Sequence, residues 1–342
     1  MTVRVAINGF GRIGRSFLRA ALQQNASFEV VAVNDLADPE TLAHLLRYDS
    51  VGGKLSEPIT HEEARLIVGG HAIQVFRQKN PADLPWAALK VDVVIESTGF
   101  FTKGSDTARH LAAGAKKVII SAPATGEDIT LLLGVNDDQY EPGKHHIISN
   151  ASCTTNSVGT IAKVLHEAFG IERALMTTIH AYTADQNLHD GPHKDLRRAR
   201  AAAINIVPNS TGAARAIGVV MPELNGKIDG YAMRVPVPVG SATDLTATLS
   251  REASEEEINA AFKAAAEGPM KAYLTYTEDP IVSSDIVGNP SSSIFDAGLT
   301  KAIGDQVKIV AWYDNEWGFS NRLVDLTHLV GSGLTPSAGS RA

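Results

Sequence analysis

A glycine-spaced turn, placed where an apolar run meets a helical pattern, constrains this chain more than any other feature. Gly9, Gly11 and Gly14 stand in G-x-G-x-x-G spacing, with Arg12 and Ile13 inside the turn. Residues 3–7 before it form a short β-rich run, and residues 12–23 after it carry helical periodicity. Elsewhere in a chain this spacing means little, but between a strand and a helix it opens a βαβ unit. The first glycine permits the tight turn, the second lets backbone approach a diphosphate, and the third lets helix and strand pack closely. The helix N-terminus then turns unfilled N–H groups and the positive end of its dipole toward the anion. Arg12 adds a charge beside it. The bland alternative is a plain β–α turn with no ligand.

Beyond the turn the alternation continues. Residues 28–34, 91–97, 117–121 and 145–149 read as further strands, with a helical stretch at 106–113. Strands that alternate with helices predict right-handed crossovers and a parallel sheet covered on both faces. Asp35 ends the second strand. A carboxylate there accepts hydrogen bonds from ribose hydroxyls and repels a 2′-phosphate, so the expected cofactor is NAD rather than NADP.

The second half is ordered differently. Residues 174–182, 228–237 and 242–250 read as strands, with Gly240 between the last two, and 306–313 reads as a final one. Strand after strand with few crossovers predicts a mainly antiparallel sheet and an α+β unit. Residues 255–267 read as a helix, with Ser254 as N-cap and Glu257 completing a capping box. Leu323, Leu326, Leu329 and Val330 lie at helical spacing over 321–330, and the glycine- and serine-rich end, 331–342, is expected to fray. A chain of 342 residues exceeds what one core usually holds, so two domains are expected. The first is a doubly wound α/β, NAD-binding (Rossmann) domain, 1–150 plus a returning 316–342. The second is a catalytic α+β domain, 151–315.

Composition removes other classes. Lysine and arginine number 31 against 38 aspartates and glutamates, a formal net charge of −7, which gives no footprint for nucleic acid. No apolar run is long enough for a bilayer, so no membrane association is expected. A single cysteine excludes an intrachain disulfide and argues against a zinc site, and no metal is expected. The chain opens on strand-like residues rather than a leader, so the expected location is the reducing cytoplasm.

That one cysteine is placed for chemistry. Cys153 lies in ASCTTN, residues 151–156, between the 145–149 strand and a helical pattern over 158–169. Unfilled N–H groups and the dipole at a helix start favour a thiolate over a thiol that ordinarily titrates near ~8.5. Such a thiolate attacks carbonyl carbon. A free cysteine is more often buried among apolar groups. The flanking Ser152, Thr154, Thr155 and Asn156 speak against that here.

With these two motifs together, the chain resembles the phosphorylating glyceraldehyde-3-phosphate dehydrogenases over about residues 3–330. The resemblance is carried by NGFGRIGR (8–15), ASCTTN (151–156), HAYT (180–183), AAAINIVPNSTGAA (201–214), RVPVP (234–238) and WYDNEWG (312–318). It implies oxidation of D-glyceraldehyde 3-phosphate by NAD, with inorganic phosphate, to 1,3-bisphosphoglycerate, in glycolysis or its reverse. It implies that Cys153 forms a thiohemiacetal and then a thioester, which phosphate cleaves. His180 would be the general base, titrating near neutrality and ion-paired with the Cys153 thiolate. The Cys153 N–H and the His180 ring would hold the oxyanion. Thr183 and Arg234 match one anion pocket, and Ser152, Thr154, Thr211 and Gly212 match the other. Arg198, from the basic run 194–200, is a further phosphate contact. Asn315 matches the residue that holds the nicotinamide carboxamide, Ser121 matches a cofactor contact and Lys79 a backbone one, and Thr98 and Gly99 are expected to line the same cleft.

Some positions depart from the family pattern. Ala184 stands where an asparagine often follows HAYT, which removes one possible cofactor hydrogen bond. Ser157 stands where a second cysteine is common, so Cys153 lacks a nearby disulfide partner. Leu36 suits an NAD pocket, whereas Gly191-Pro192 differs from some NAD-using relatives. The long, patternless stretch 185–205 corresponds to an S-shaped loop that packs on a neighbouring subunit, so a homotetramer follows by resemblance. Two rival readings are an erythrose-4-phosphate dehydrogenase, which hydrolyses its thioester, and a non-catalytic binding protein on the same scaffold.

Overall fold

The computed structural model describes residues 2–334. The chain divides into two compact units: Met1–Leu131, Asp138–Ala151 and Ser320–Ala342 form one, and Leu132–Asp137 with Ser152–Phe319 form the other. No helix among the described residues is long and apolar enough to cross a membrane.

The first unit contains β1 (Arg4–Asn8), α1 (Arg12–Gln23), β2 (Glu29–Asn34), α2 (Pro39–Arg47), the short pair β3 (Tyr48–Asp49) and β4 (Gly53–Lys54), β5 (Ile59–Glu62), β6 (Arg65–Val68) and β7 (His71–Phe76). It continues with α3 (Trp86–Leu89), β8 (Val93–Glu96), α4 (Gly104–Ala112), β9 (Lys117–Ile120), β10 (Ile129–Thr130) and β11 (Ile147–Ser149). Nine strands form one sheet in the order β10-β11-β9-β8-β1-β2-β7-β6-β5. From β10 to β7 every neighbouring pair is parallel. Its central strands are apolar on both faces: Val5, Ala6, Ile7, Val93, Val94 and Ile95 are all fully buried, as helices on both sides require. The antiparallel strands β5 and β6 at one edge are additions to the expected all-parallel sheet. Successive connections leave β1 in opposite directions, to β2 and to β8. The crevice beyond the carboxyl ends of β1 and β8 is therefore the place where such sheets bind ligands.

The second unit contains α5 (Cys153–Phe169), β12 (Ile171–Ala181), β13 (Val207–Ser210), α6 (Ile217–Val220), β14 (Ile228–Val235), β15 (Ser241–Leu249) and α7 (Glu255–Glu267). Then come β16 (Leu274–Thr277), β17 (Ser293–Asp296), β18 (Lys301–Ile303), β19 (Gln306–Tyr313) and α8 (Trp317–Ser332), whose residues from Ser320 on count with the first unit. The sheet order is β13-β14-β12-β15-β19-β17-β16, with β18 on β19. Most pairs are antiparallel, as expected, but β12 with β14 and β16 with β17 are parallel. The capping box of α7 is formed: Ser254 N–H donates to Glu257 (2.9 Å) and Glu257 N–H to Ser254 Oγ (3.2 Å).

Helix α5 starts at Cys153, five residues ahead of the apolar pattern in the sequence. Its first two turns are buried through hydroxyls rather than hydrocarbons. Ser157 Oγ lies 3.1 Å from both Thr243 Oγ1 and Ser293 Oγ, and Thr160 Oγ1 donates to Asn156 O. Of the end segment expected to fray, Gly331 and Ser332 close α8, and residues 335–342 lie outside the described residues.

Candidate active site

In the first unit the glycine turn divides into two kinds of position. Gly9 has φ +92°, and a Cβ there would sit 2.6 Å from Thr98 N. A Cβ on Gly14 would sit 2.2 Å from Gly9 O. Packing alone demands these two glycines. A Cβ on Gly11 would meet nothing within 4 Å, so that position opens to space. Gly11 caps α1 without a side-chain bond, so no N-cap side chain stands between the helix start and the open space beside it. Asp35 is fixed beside them, accepting from Phe10 N–H (2.8 Å) and Ala37 N–H (3.0 Å) with lone pairs to spare. A diphosphate at α1 and a ribose at Asp35 fit this cradle. Ile13 lies half-buried in the first turn of α1.

The other residues expected at the cofactor are placed as follows. Arg12 is clamped on Asp49, at 2.7 and 3.3 Å. Thr98 follows β8 and Gly99 is exposed at φ +75°. Ser121 N–H donates to Glu96 O (2.9 Å) at the end of β9, and Lys79 is exposed after β7.

In the second unit Ser152 caps α5, its Oγ accepting from Thr155 N–H (3.0 Å). This puts Cys153 at the first helical position, where its N–H has no intrahelical acceptor. Just before it, Ala151 is held at φ +53°, a left-handed conformation costly for a residue with a Cβ, as is common near functional groups. Cys153 Sγ lies 3.4 Å from His180 Nε2. His180 is near the end of β12 and is paired in register with Arg234 on β14. Arg234 Nη1 lies 2.7 Å from His180 Nδ1 and donates to Ala181 O (2.9 Å). His180 Nδ1 also lies 2.7 Å from Ala181 O, so Nδ1 either accepts from Arg234 or donates to Ala181, and Nε2 is the nitrogen that faces Sγ.

The surroundings oppose protonation of His180. Burial first, and then the Arg234 charge, hold its pKa down to about 3. Burial pushes the Cys153 thiol up, opposed by Arg234, the Thr154 hydroxyl and the N–H groups of Thr154 and Cys153.

Tyr313 lies inside the WYDNEWG motif without a role expected for it, yet it ties the nucleophile to the base. Its hydroxyl lies 2.9 Å from Thr154 Oγ1 and 2.7 Å from Thr178 Oγ1. Its ring meets His180 edge-on at 5.9 Å. The available signal is an aromatic with a polar tip on the last strand of the sheet. Asn315 accepts at Oδ1 from Gly240 N–H (3.2 Å) and from the Ser241 hydroxyl (3.0 Å). Its NH2 group is therefore the end left to present. Ser241 Oγ also accepts from Ala181 N–H (3.1 Å), next to His180.

Of the expected anion contacts, Thr154 and Arg234 join the Cys153–His180 cluster. Thr183 and Arg198 meet on Asp185, Thr183 through its hydroxyl and Arg198 through its guanidinium. Thr211 is bonded only locally, accepting from Ala213 N–H (3.2 Å), and a Cβ on Gly212 would meet nothing within 4 Å. Arg234 Nε is buried with no partner among the described residues, as a side chain set to bind an anion would leave it.

Comparison with known proteins gives two family matches. Residues 3–104 match "Glyceraldehyde 3-phosphate dehydrogenase, NAD binding domain", and residues 152–315 match "Glyceraldehyde 3-phosphate dehydrogenase, C-terminal domain". The chain is 63% identical over 335 residues to glyceraldehyde-3-phosphate dehydrogenase 2 of Streptomyces avermitilis, covering 98% of this chain and 100% of the relative. It is 63% identical over 341 residues to glyceraldehyde-3-phosphate dehydrogenase of Mycolicibacterium smegmatis, and 65% identical over 340 residues to that of Mycobacterium avium, with the same coverage.

Proposed function

This chain belongs to the glyceraldehyde-3-phosphate dehydrogenase family, and from that premise we propose how its residues carry the reaction. The protein is an NAD-dependent oxidoreductase that acts on glyceraldehyde 3-phosphate. The observation that carries the mechanism is Cys153 at the first position of α5, 3.4 Å from His180 Nε2.

The Cys153 thiolate attacks the aldehyde carbon and forms a C–S bond. The carbonyl electrons move to oxygen, where the Cys153 N–H donates and His180 Nε2, carrying the proton taken from the Cys153 thiol, returns it to give the thiohemiacetal hydroxyl. Bound against the glycine turn and Asp35, NAD would supply the acceptor for the hydride of that carbon. His180 removes the hydroxyl proton as the C=O bond reforms, leaving a thioester on Cys153. A phosphate oxygen then attacks the thioester carbon, the C–S bond breaks, and the thiolate leaves with an acyl phosphate as product. The thioester keeps the acyl group activated between the two halves of the reaction.

The two units take separate roles. The first holds NAD through Gly9, Gly11, Gly14 and Asp35, with Arg12, Ile13, Lys79, Thr98, Gly99 and Ser121 around it. The second holds the substrate, and there Asn315 presents its amide to the carboxamide of the nicotinamide. Arg234 and Thr183 form one anion pocket, with Ser152, Thr154, Thr211 and Gly212 in the other and Arg198 as an additional cation. The unpartnered Nε of Arg234 supports the first assignment.

The protein acts as a homotetramer in the cytoplasm. Leu196 is 81% exposed and Ile204 80%, and Leu188 and Ile206 on the same segment are also exposed, which favours a protein partner over water. Light scattering reads the assembly directly. Intact-mass measurement tests the covalent step. Incubated with D-glyceraldehyde 3-phosphate and NAD but no phosphate, the protein gains one acyl group, and Cys153→Ser gains none. Acylation of the serine variant, or of no variant, overturns the proposal.

A further inference from the structure

The mechanism leaves one fully buried ionisable cluster unused. Glu96, His110, Trp86 and Asn8 are each at most 2% exposed, and no lysine or arginine among the described residues bonds to them. Trp86 Nε1–H donates to His110 Nδ1 (2.9 Å), so the His110 proton sits on Nε2, facing Glu96 Oε2 at 3.0 Å. Asn8 Nδ2 also donates to Oε2 (2.5 Å). Thr98 donates to the other oxygen, Oε1, through both its N–H (2.9 Å) and its hydroxyl (2.5 Å). Four donors converge on one carboxylate.

The cluster continues across the sheet. Asn34 Nδ2 donates to Asn8 Oδ1 (2.7 Å), and Asn34 Oδ1 accepts from Gln78 N–H (2.8 Å). Asn8, Asn34 and Glu96 are the last residues of β1, β2 and β8, and they are paired in register: Asn8 with Asn34, and Asn8 with Glu96. The residues that come next in the chain are Gly9, Asp35 and Ser97. Ser97 Oγ in turn donates to Gly9 O (2.7 Å), and Thr98 N is the atom that a Cβ on Gly9 would strike. Each amide is oriented by its neighbour, so turning one over sets donor against donor along the row.

We propose that Glu96, locked by His110 and Trp86 on one side and by Asn8 on the other, is the positioning residue for the dinucleotide turn. It spaces the carboxyl ends of three parallel strands and pins Thr98 under Gly9, so that the turn is rigid before the cofactor arrives. This rests on the reading of Gly9, Gly11 and Asp35 as the NAD cradle. A preorganised site saves the ordering that binding would otherwise require. The ligand class that senses the device is therefore any adenosine diphosphate sugar, with or without nicotinamide.

Glu96→Gln tests it, because it keeps the shape and puts an NH2 against donors whichever way the amide turns. Calorimetry on the full protein with NAD and with ADP-ribose reads equilibrium binding without turnover. The expected result is a rise of about tenfold in Kd for both ligands, while iodoacetamide alkylates Cys153 at the wild-type rate. Should Glu96→Gln fail to fold, Trp86→Phe removes the distal donor together with some core volume, and a rise of about threefold in both Kd values is expected. Kd values within twofold of wild type in a folded variant overturn the proposal, even if the melting temperature falls, since a purely structural role moves stability alone. A loss for NAD without a loss for ADP-ribose also overturns it, because the turn serves the diphosphate. Tight ADP-ribose binding by wild type is required for the cradle itself. Its absence would count against that reading, whatever the variant does.

Discussion

Arg234 Nη1 lies 2.7 Å from His180 Nδ1, on strands that pair these two residues side by side. The contact places a permanent positive charge behind the base and sets which nitrogen faces the nucleophile. It lowers both the His180 and the Cys153 pKa. Removing it with Arg234→Gln therefore raises both. The Cys153 thiolate fraction at a given pH falls, and the midpoint of iodoacetamide alkylation against pH moves up by about one unit, the effect of one close charge. A midpoint that stays put or moves down would show that Arg234 does not act on the pair.

The same burial has a consequence for stability. His180 is held from 6.5 down to about 3 in the folded protein. Below pH 6.5 the unfolded chain takes up a proton that the folded chain refuses, so stability falls as pH drops toward 3 and levels off below it. His180→Gln cannot titrate. The difference in urea midpoint between wild type and this variant should shift against wild type across that window. A constant difference would contradict the buried neutral imidazole.

Tyr313 bridges Thr154, beside the nucleophile, and Thr178, two residues before the base. Tyr313→Phe keeps the ring and removes the hydroxyl that Thr154 and Thr178 share, leaving Thr178 its bond to Ala242 O, a loss of about 1 kcal/mol in stability by denaturant unfolding. With Thr154 untied, the start of α5 is less well held. The first-turnover rate, read by rapid mixing, should fall by roughly tenfold, a cost of about 1.4 kcal/mol in the barrier. An unchanged burst rate would reduce Tyr313 to a packing residue.

The three glycines of the turn should separate in mutagenesis. Gly11→Ala meets no atom within 4 Å, so the protein should fold and melt as wild type while its Kd for NAD rises tenfold or more. Gly14→Ala drives a Cβ to 2.2 Å from Gly9 O and should lose stability and binding together. Equal damage from both would mean that Gly11 serves packing rather than the ligand.

Much of this is legible in the residues, for identifiable reasons. Helix α1 and helix α7 carry unbroken periodicity and marked starts, and both appear with the bounds read from the sequence. The start of α5 is hidden because residues 154–157 are polar, and only the fold supplies their hydroxyl partners on β15, β17 and β19. The edge strands β5 and β6 are four residues each, and β5 buries only Ile59 ahead of exposed Thr60, His61 and Glu62, too short and too polar a signal to read as sheet. Cys153 and His180 stand out through their motifs. The charge state of His180 does not, because it depends on Arg234, 54 residues away, meeting it across a strand pair. Glu96 lies inside the strand read at 91–97, where nothing marks it as a site residue, and its burial depends on Trp86, Asn8 and His110 arriving from three other segments.

The central claim is that oxidation deposits an acyl group on Cys153 and that phosphate removes it. Nicotinamide reduction with D-glyceraldehyde 3-phosphate and NAD, followed in rapid mixing with and without inorganic phosphate, addresses it most directly. Without phosphate the account predicts a burst of about one NADH per subunit and then near arrest, with steady turnover restored by phosphate. Steady turnover of the same rate in both conditions would mean that water cleaves the thioester, and would contradict the phosphate-dependent step.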